Sequence, residues 1–300
     1  MVRIIVISGR GSQPSRSCKQ RYVREVLIES VRRVNPQAAA RLAAFPRAIQ
    51  HAYYADLIRP RTGDAVEPCA GFRRAIDRLY LESRRCPTWL TFRAYLHDLG
   101  IDVSVELERM LKYSLRDRVL SRRFPDVLLY FRDHALASRI RARLQQLLLP
   151  ALRGNTPVVL LAHSLGSVIA YDVLWKLSHT SGYAALRRRK VELLVTLGSP
   201  LGDRVVKSHL LGWRGPPPRS YPANIARWVN IAARGDAISH DERLANDFEG
   251  MIRSKAVGRF EDRVRVCTMY RGRGRVWNPH ALYGYLLLED VGRLVSEVVL

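Results

Sequence analysis

The string Leu160-Leu161-Ala162-His163-Ser164-Leu165-Gly166-Ser167 ends an apolar run in small-x-Ser-x-Gly and passes directly into a helical pattern. A serine hydroxyl is a weak nucleophile at neutral pH. It becomes reactive when an imidazole can take its proton and a carboxylate orients that imidazole. Two later loops carry those residue types. Asp236 stands in Arg234-Gly235-Asp236-Ala237-Ile238, just after an apolar run, and His280 stands in Asn278-Pro279-His280-Ala281-Leu282-Tyr283, just before the last helical pattern. The chemistry such a set could perform is acyl transfer through a covalent serine ester.

A strand, small-x-Ser-x-Gly and a helix in immediate succession resemble the nucleophile elbow of the α/β-hydrolase superfamily. In that turn the serine is strained so that its Oγ stands above the sheet, and only small residues fit two positions to either side. Gly166 fits the pattern, whereas Ala162 departs from the usual glycine. The resemblance implies the order serine, acid, histidine, with Ser164 as nucleophile, His280 as base and Asp236 as first choice for the acid. Asp203, in Gly198-Ser199-Pro200-Leu201-Gly202-Asp203, is the rival acid, and Asp241 stands behind both. His240 is too close to Asp236 to occupy a separate loop and reads as a surface residue, while His163 is expected to point away from the nucleophile.

Acyl transfer also needs donors for the developing oxyanion. The resemblance implies that the N–H of Leu165 is one. The loop Ser8-Gly9-Arg10-Gly11-Ser12-Gln13 is similar to the His-Gly-x-Gly-x-Gln loop of a lipase-like branch, with Ser8 in place of the customary histidine. Arg10 or Gly11 would then supply the second donor. A dinucleotide-binding reading of Gly9-Arg10-Gly11 fails at Pro14, where a third glycine is required. What the resemblance implies is an esterase- or lipase-like serine hydrolase with no cofactor, acting on a small-molecule or lipid ester.

Positioning these residues requires a parallel sheet. Residues 2–7 are a β-branched run ending in a Gly-rich loop, and the apolar pattern of 21–34 is helical, with a second strand expected near 51–58. Residues 126–149 read as one helix that Pro150 closes or kinks. Residues 157–162 form an unalternated apolar run, the mark of a central strand covered on both faces. Further strands are expected at 191–197, 228–233 and 264–270, with a last helix from about 282. Strands alternating with helices predict an α/β fold with a mostly parallel, doubly wound sheet, folded as one domain over 1–300. The Arg-rich, irregular stretch 59–124 reads as an inserted helical cap, where Trp89, Phe92 and Tyr95 line either an acyl pocket or the cap's own core.

The chain has 300 residues, 47% of them hydrophobic, which excludes disorder as the dominant state. Fifty Lys and Arg against 27 Asp and Glu give a net charge of +23, a balance that favours anionic partners without naming one. If the excess has a role, peripheral contact with an anionic membrane through 251–277, which holds eight Lys/Arg and two acids, is the expected one. Nucleic acid binding through Arg271-Gly272-Arg273-Gly274-Arg275 or Arg187-Arg188-Arg189-Lys190 is the weaker expectation, since such runs usually form solvated turns. The contrasting reading of the whole chain is a non-catalytic scaffold for an anionic partner. Cys18, Cys69, Cys86 and Cys267 show no metal-ligand spacing and read as free thiols in a reducing compartment. No apolar run is long enough for a signal or a membrane span, so a cytoplasmic location is expected.

Overall fold

The computed structural model describes residues 2–9, 14–62, 66, 68–82, 125–239, 241–271 and 277–300. Six strands form one parallel sheet: β1 (Arg3–Ser8), β2 (Ile49–His51), β3 (Val158–His163), β4 (Val191–Leu197), β5 (Ile225–Ala233) and β6 (Val257–Val266). Their order is β2-β1-β3-β4-β5-β6, and each adjacent pair is parallel. This is the α/β architecture that the alternating strand and helix patterns predict.

Helices cover both faces because strand side chains alternate. Ile5, Ile7, Leu160, Ala162, Leu194 and Trp228 point into one buried layer, with α5 (Pro125–Arg132), α6 (His134–Arg153) and α7 (Leu165–His179). Ile4, Val6, Leu161, Val195, Val229 and Ile231 point into the other, with α1 (Arg16–Val34), α2 (Pro36–Ala44), α10 (Leu282–Leu286) and α11 (Glu289–Val299). Every residue of β3 is buried, which accounts for its uninterrupted apolar sequence.

Several expected boundaries change. The second strand has only three residues, and 55–62 is helix α3 (Ala55–Thr62), not strand. The expected single helix over 126–149 breaks at Asp133, whose side chain accepts the N–H of Leu136 at 2.9 Å and so caps α6, and Pro150 lies inside that helix. The last strand is 257–266, upstream of the apolar run at 264–270. Its charged residues are tolerated because they meet opposite charges: Glu261 pairs with Arg227, Arg259 and Arg263, and Arg263 also pairs with Asp290. Two short helices, α8 (Arg204–His209) and α9 (Glu249–Arg253), lie in the connections around β5.

The stretch expected to be a cap lies mostly outside the described residues. In α4 (Cys69–Glu82), Ile76 and Leu79 are fully buried in the same layer as α1. The free-thiol expectation is also corrected. Cys18 on α1 and Cys69 on α4, 51 positions apart in sequence, form a disulfide, and Cys267 is disulfide-bonded as well. Among the described residues, no helix is long and apolar enough to cross a membrane.

Candidate active site

Ser164 joins β3 to α7 with φ 56° and ψ −131°, a conformation that costs a non-glycine residue about 1–3 kcal/mol. The turn is held from both sides. The N–H of Ser164 donates to Leu197 O at 3.0 Å, and Ser167 donates to Ser164 O through its N–H at 2.8 Å and its hydroxyl at 2.6 Å. Ser199 Oγ lies 2.7 Å from that same hydroxyl and accepts the N–H of Leu201, linking the elbow to the loop after β4. Absent side chains let the chain pass this closely. A Cβ on Gly166 would lie 2.5 Å from the carbonyl oxygen of Ile7, and one on Gly9 would lie 2.6 Å from Ser164 Cβ.

Asp236 and His280 reach the same point from the loops after β5 and β6, at the carboxyl ends of the strands, where parallel sheets gather their sites. His280 Nε2 lies 2.9 Å from Ser164 Oγ, and His280 Nδ1 lies 2.9 Å from both carboxylate oxygens of Asp236. An ionised carboxylate can only accept, so Nδ1 carries the hydrogen and Nε2 presents its lone pair to the serine hydroxyl. Burial alone would raise the pKa of Asp236. The charge of His280 and its hydrogen bond outweigh burial, together with donation from Tyr285 Oη at 2.6 Å and from the N–H of Ile238 at 3.0 Å. The carboxyl group is held at about 2.

Tyr285 was not visible as a site residue in the sequence. Its hydroxyl also accepts the N–H of Ala233 at 2.9 Å, so it fixes Asp236 against the end of β5. Burial and the neighbouring Asp236 charge push its phenol well above the ordinary tyrosine range and keep it a donor. Gly198, at φ 52°, clears the space between these groups: a Cβ there would lie 2.6 Å from Asp236 Oδ2 and 3.1 Å from His280 Nδ1.

The remaining sequence candidates fall into place around this set. Asp203 is not part of it, because its carboxylate accepts the N–H groups of Val205 and Val206 as the N-cap of α8. Asp241 is pushed up to about 6 by burial and by Asp247 beside it, and it is Asp236 whose carboxylate meets His280 Nδ1. His163 does not bond to Ser164, but neither does it point clear of the site: its ring packs 4.7 Å from that of His280. Ser8 is buried and lies 3.0 Å from Nε2 of His51 on β2. Burial, then Lys19 and Arg16, hold the His51 imidazole well below the ordinary histidine range.

Leu165 opens α7, so its N–H is one of the first-turn donors that have no acceptor within the helix. A Cβ added to Gly9 would come within 2.7 Å of Ser164 Oγ and 3.2 Å of Leu165 N, so the bare glycine leaves open the space beside both. Arg10, Gly11, His240, Trp89, Phe92, Tyr95, Arg273 and Arg275 lie outside the described residues. No group of residues able to hold a metal ion is found among the described residues.

Four of the eight Lys/Arg at 251–277 pair with carboxylates within the fold. Arg253 pairs with Glu249, Arg259 and Arg263 with Glu261, and Arg265 with Glu242. Compared with family models, curated proteins and solved structures, the chain matches none of them.

Proposed function

We propose that the protein is a serine hydrolase that cleaves a carboxyl ester through an acyl-enzyme. The observation that carries this reading is the single imidazole of His280, 2.9 Å from Ser164 Oγ on one side and 2.9 Å from the Asp236 carboxylate on the other. In the first step His280 Nε2 takes the Ser164 proton as Oγ attacks the acyl carbon. The resulting imidazolium is stabilised by Asp236, which stays ionised. Collapse of the tetrahedral intermediate expels the alkoxide, to which His280 returns the proton. Water then repeats the sequence on the acyl-serine, with His280 again as base. Leu165 N–H supplies one oxyanion donor, and the loop containing Arg10 and Gly11 is the expected source of the second.

Within the α/β class, the α/β-hydrolase superfamily is the membership this arrangement suggests. A lipid or small-molecule ester is the proposed substrate class. The scaffold reading gains nothing from the site: Gly9 and Gly198 clear space beside Ser164 and between Asp236 and His280 that a reactive serine, its base and its acid need, and that an anion-binding surface would not. Contact of 251–277 with an anionic membrane loses force, since four of its arginines already face carboxylates. The disulfides favour a compartment in which such bonds persist over the cytoplasm.

The test is labelling with an active-site fluorophosphonate. One equivalent is expected on Ser164, with none on Ser164→Ala and at most a small residue on His280→Ala. Failure of folded wild-type protein to label sinks the proposal.

A further inference from the structure

His163, the residue immediately before the candidate nucleophile, fastens the base as well as the strand. Its backbone carbonyl accepts the N–H of Gly9 at 2.8 Å, which pins the start of the loop after β1. Its side chain projects to the α1 side of the sheet, where Nε2 lies 2.7 Å from the main-chain carbonyl oxygen of His280. That oxygen can only accept, so Nε2 must carry the hydrogen. The ring packs 4.7 Å from the His280 ring and 5.7 Å from that of Tyr285, and the residue is 5% exposed. We propose that His163 is a positioning residue: the neutral Nε2–H tautomer holds the His280 backbone so that the His280 imidazole is aimed at Ser164 Oγ.

Two features favour this role over plain core filling. A core-filling side chain needs volume alone, yet this one presents a donor to the backbone of the base, 117 residues away in sequence. Its other nitrogen, Nδ1, is buried with no hydrogen-bond partner among the described residues, so a second proton there would be an unpaired buried charge. Burial, followed by the neighbouring His280, accordingly holds this imidazole well below the ordinary histidine range. A neutral ring is what the chemistry requires. When His280 becomes imidazolium, a charged neighbour at this distance would oppose it, and a neutral one does not.

The inference rests on the serine-hydrolase reading, and two measurements separate their fates. The first is the fluorophosphonate labelling rate of Ser164 in His163→Leu and His163→Gln. Leucine fills similar volume without a donor, and loosened aim of the base is expected to slow labelling about 10- to 100-fold. Glutamine can donate to the same carbonyl and should stay within about threefold of wild type, the scale of one imperfect hydrogen bond. Wild-type rates in the leucine variant, or a glutamine variant no faster than leucine, overturn the proposal. The second measurement needs no variant: nitrogen-15 NMR of histidine-labelled wild-type protein should show His163 as the Nε2–H tautomer at neutral pH. The Nδ1–H tautomer or an imidazolium would overturn it even if the variants do not fold. If wild-type protein is not labelled at all, the hydrolase reading fails by itself, and the NMR result still judges the contact.

Discussion

Replacing Tyr285 by phenylalanine removes one oxygen and changes two buried groups at once. Asp236 loses a charge-assisted hydrogen bond of 2.6 Å, and the N–H of Ala233 loses its acceptor at 2.9 Å. A hydrogen bond to a charged group contributes about 1.5–3 kcal/mol, and an unpaired buried donor costs about 1–3 kcal/mol, so Tyr285→Phe should destabilise the protein by about 3–5 kcal/mol at neutral pH. The two parts separate with pH. Asp236 is held at about 2 against an ordinary 3.8, which corresponds to roughly 2 kcal/mol of folded-state stabilisation. Because the folded value is depressed, that stability is fully present above the unfolded value and is lost as pH falls through about 2. Losing the phenol raises the folded value, so the gap between variant and wild type should be widest near neutrality and narrow on acidification to the Ala233 contribution. Urea unfolding of both proteins from pH 7 down to about 2.5 measures this directly. A difference below about 1 kcal/mol at pH 7, or one that does not change with pH, would refute the account of how Asp236 is held.

Gly9→Ala places a Cβ 2.6 Å from Ser164 Cβ, which can give way only with the backbone of the turn, so it should cut fluorophosphonate labelling about 100-fold and also lower the thermal midpoint; an unimpaired labelling rate and midpoint would show that the approach is not so close. Cys69→Ser should lower stability by about 2–4 kcal/mol, since the disulfide to Cys18 closes a long loop, and reducing agent should destabilise wild-type protein but have less effect on the variant. Equal responses of the two proteins to reductant would count against the bond. Burial raises the carboxyl of Asp172 to about 6, despite donors from Leu211 N–H and Tyr130 Oη. The folded state therefore holds the proton more tightly, and stability should fall as pH rises from about 4 through 6. Asp172→Asn should flatten much of that slope, leaving the share of Asp241, and an unchanged slope would remove Asp172 as its source.

Local sequence determined the central features of this protein. The unbroken apolar run at 158–162 matches a strand covered on both faces, and Gly166, two residues after Ser164, allows the sharp turn into the next helix that the motif's resemblance implies. Loops that follow strands of a parallel sheet emerge at one edge, so loop position together with the chain order that the motif's resemblance implies pointed to Asp236, with Asp203 as rival, and to His280, and the structure brings the side chains of Asp236 and His280 to Ser164. Tertiary structure decided what depends on partners distant in the chain. Strand 257–266 reads as polar because its charged side chains meet partners such as Arg227 and Asp290 that lie far off in the chain. The Cys18–Cys69 bond carries no local signature; it requires α1 and α4 to lie side by side. Tyr285 and His163 look like an ordinary helix tyrosine and strand histidine until the fold sets one against Asp236 and the other against the His280 carbonyl. Periodicity records which face of an element is buried, whereas a hydrogen bond between residues more than a hundred positions apart exists only once the chain has closed that distance.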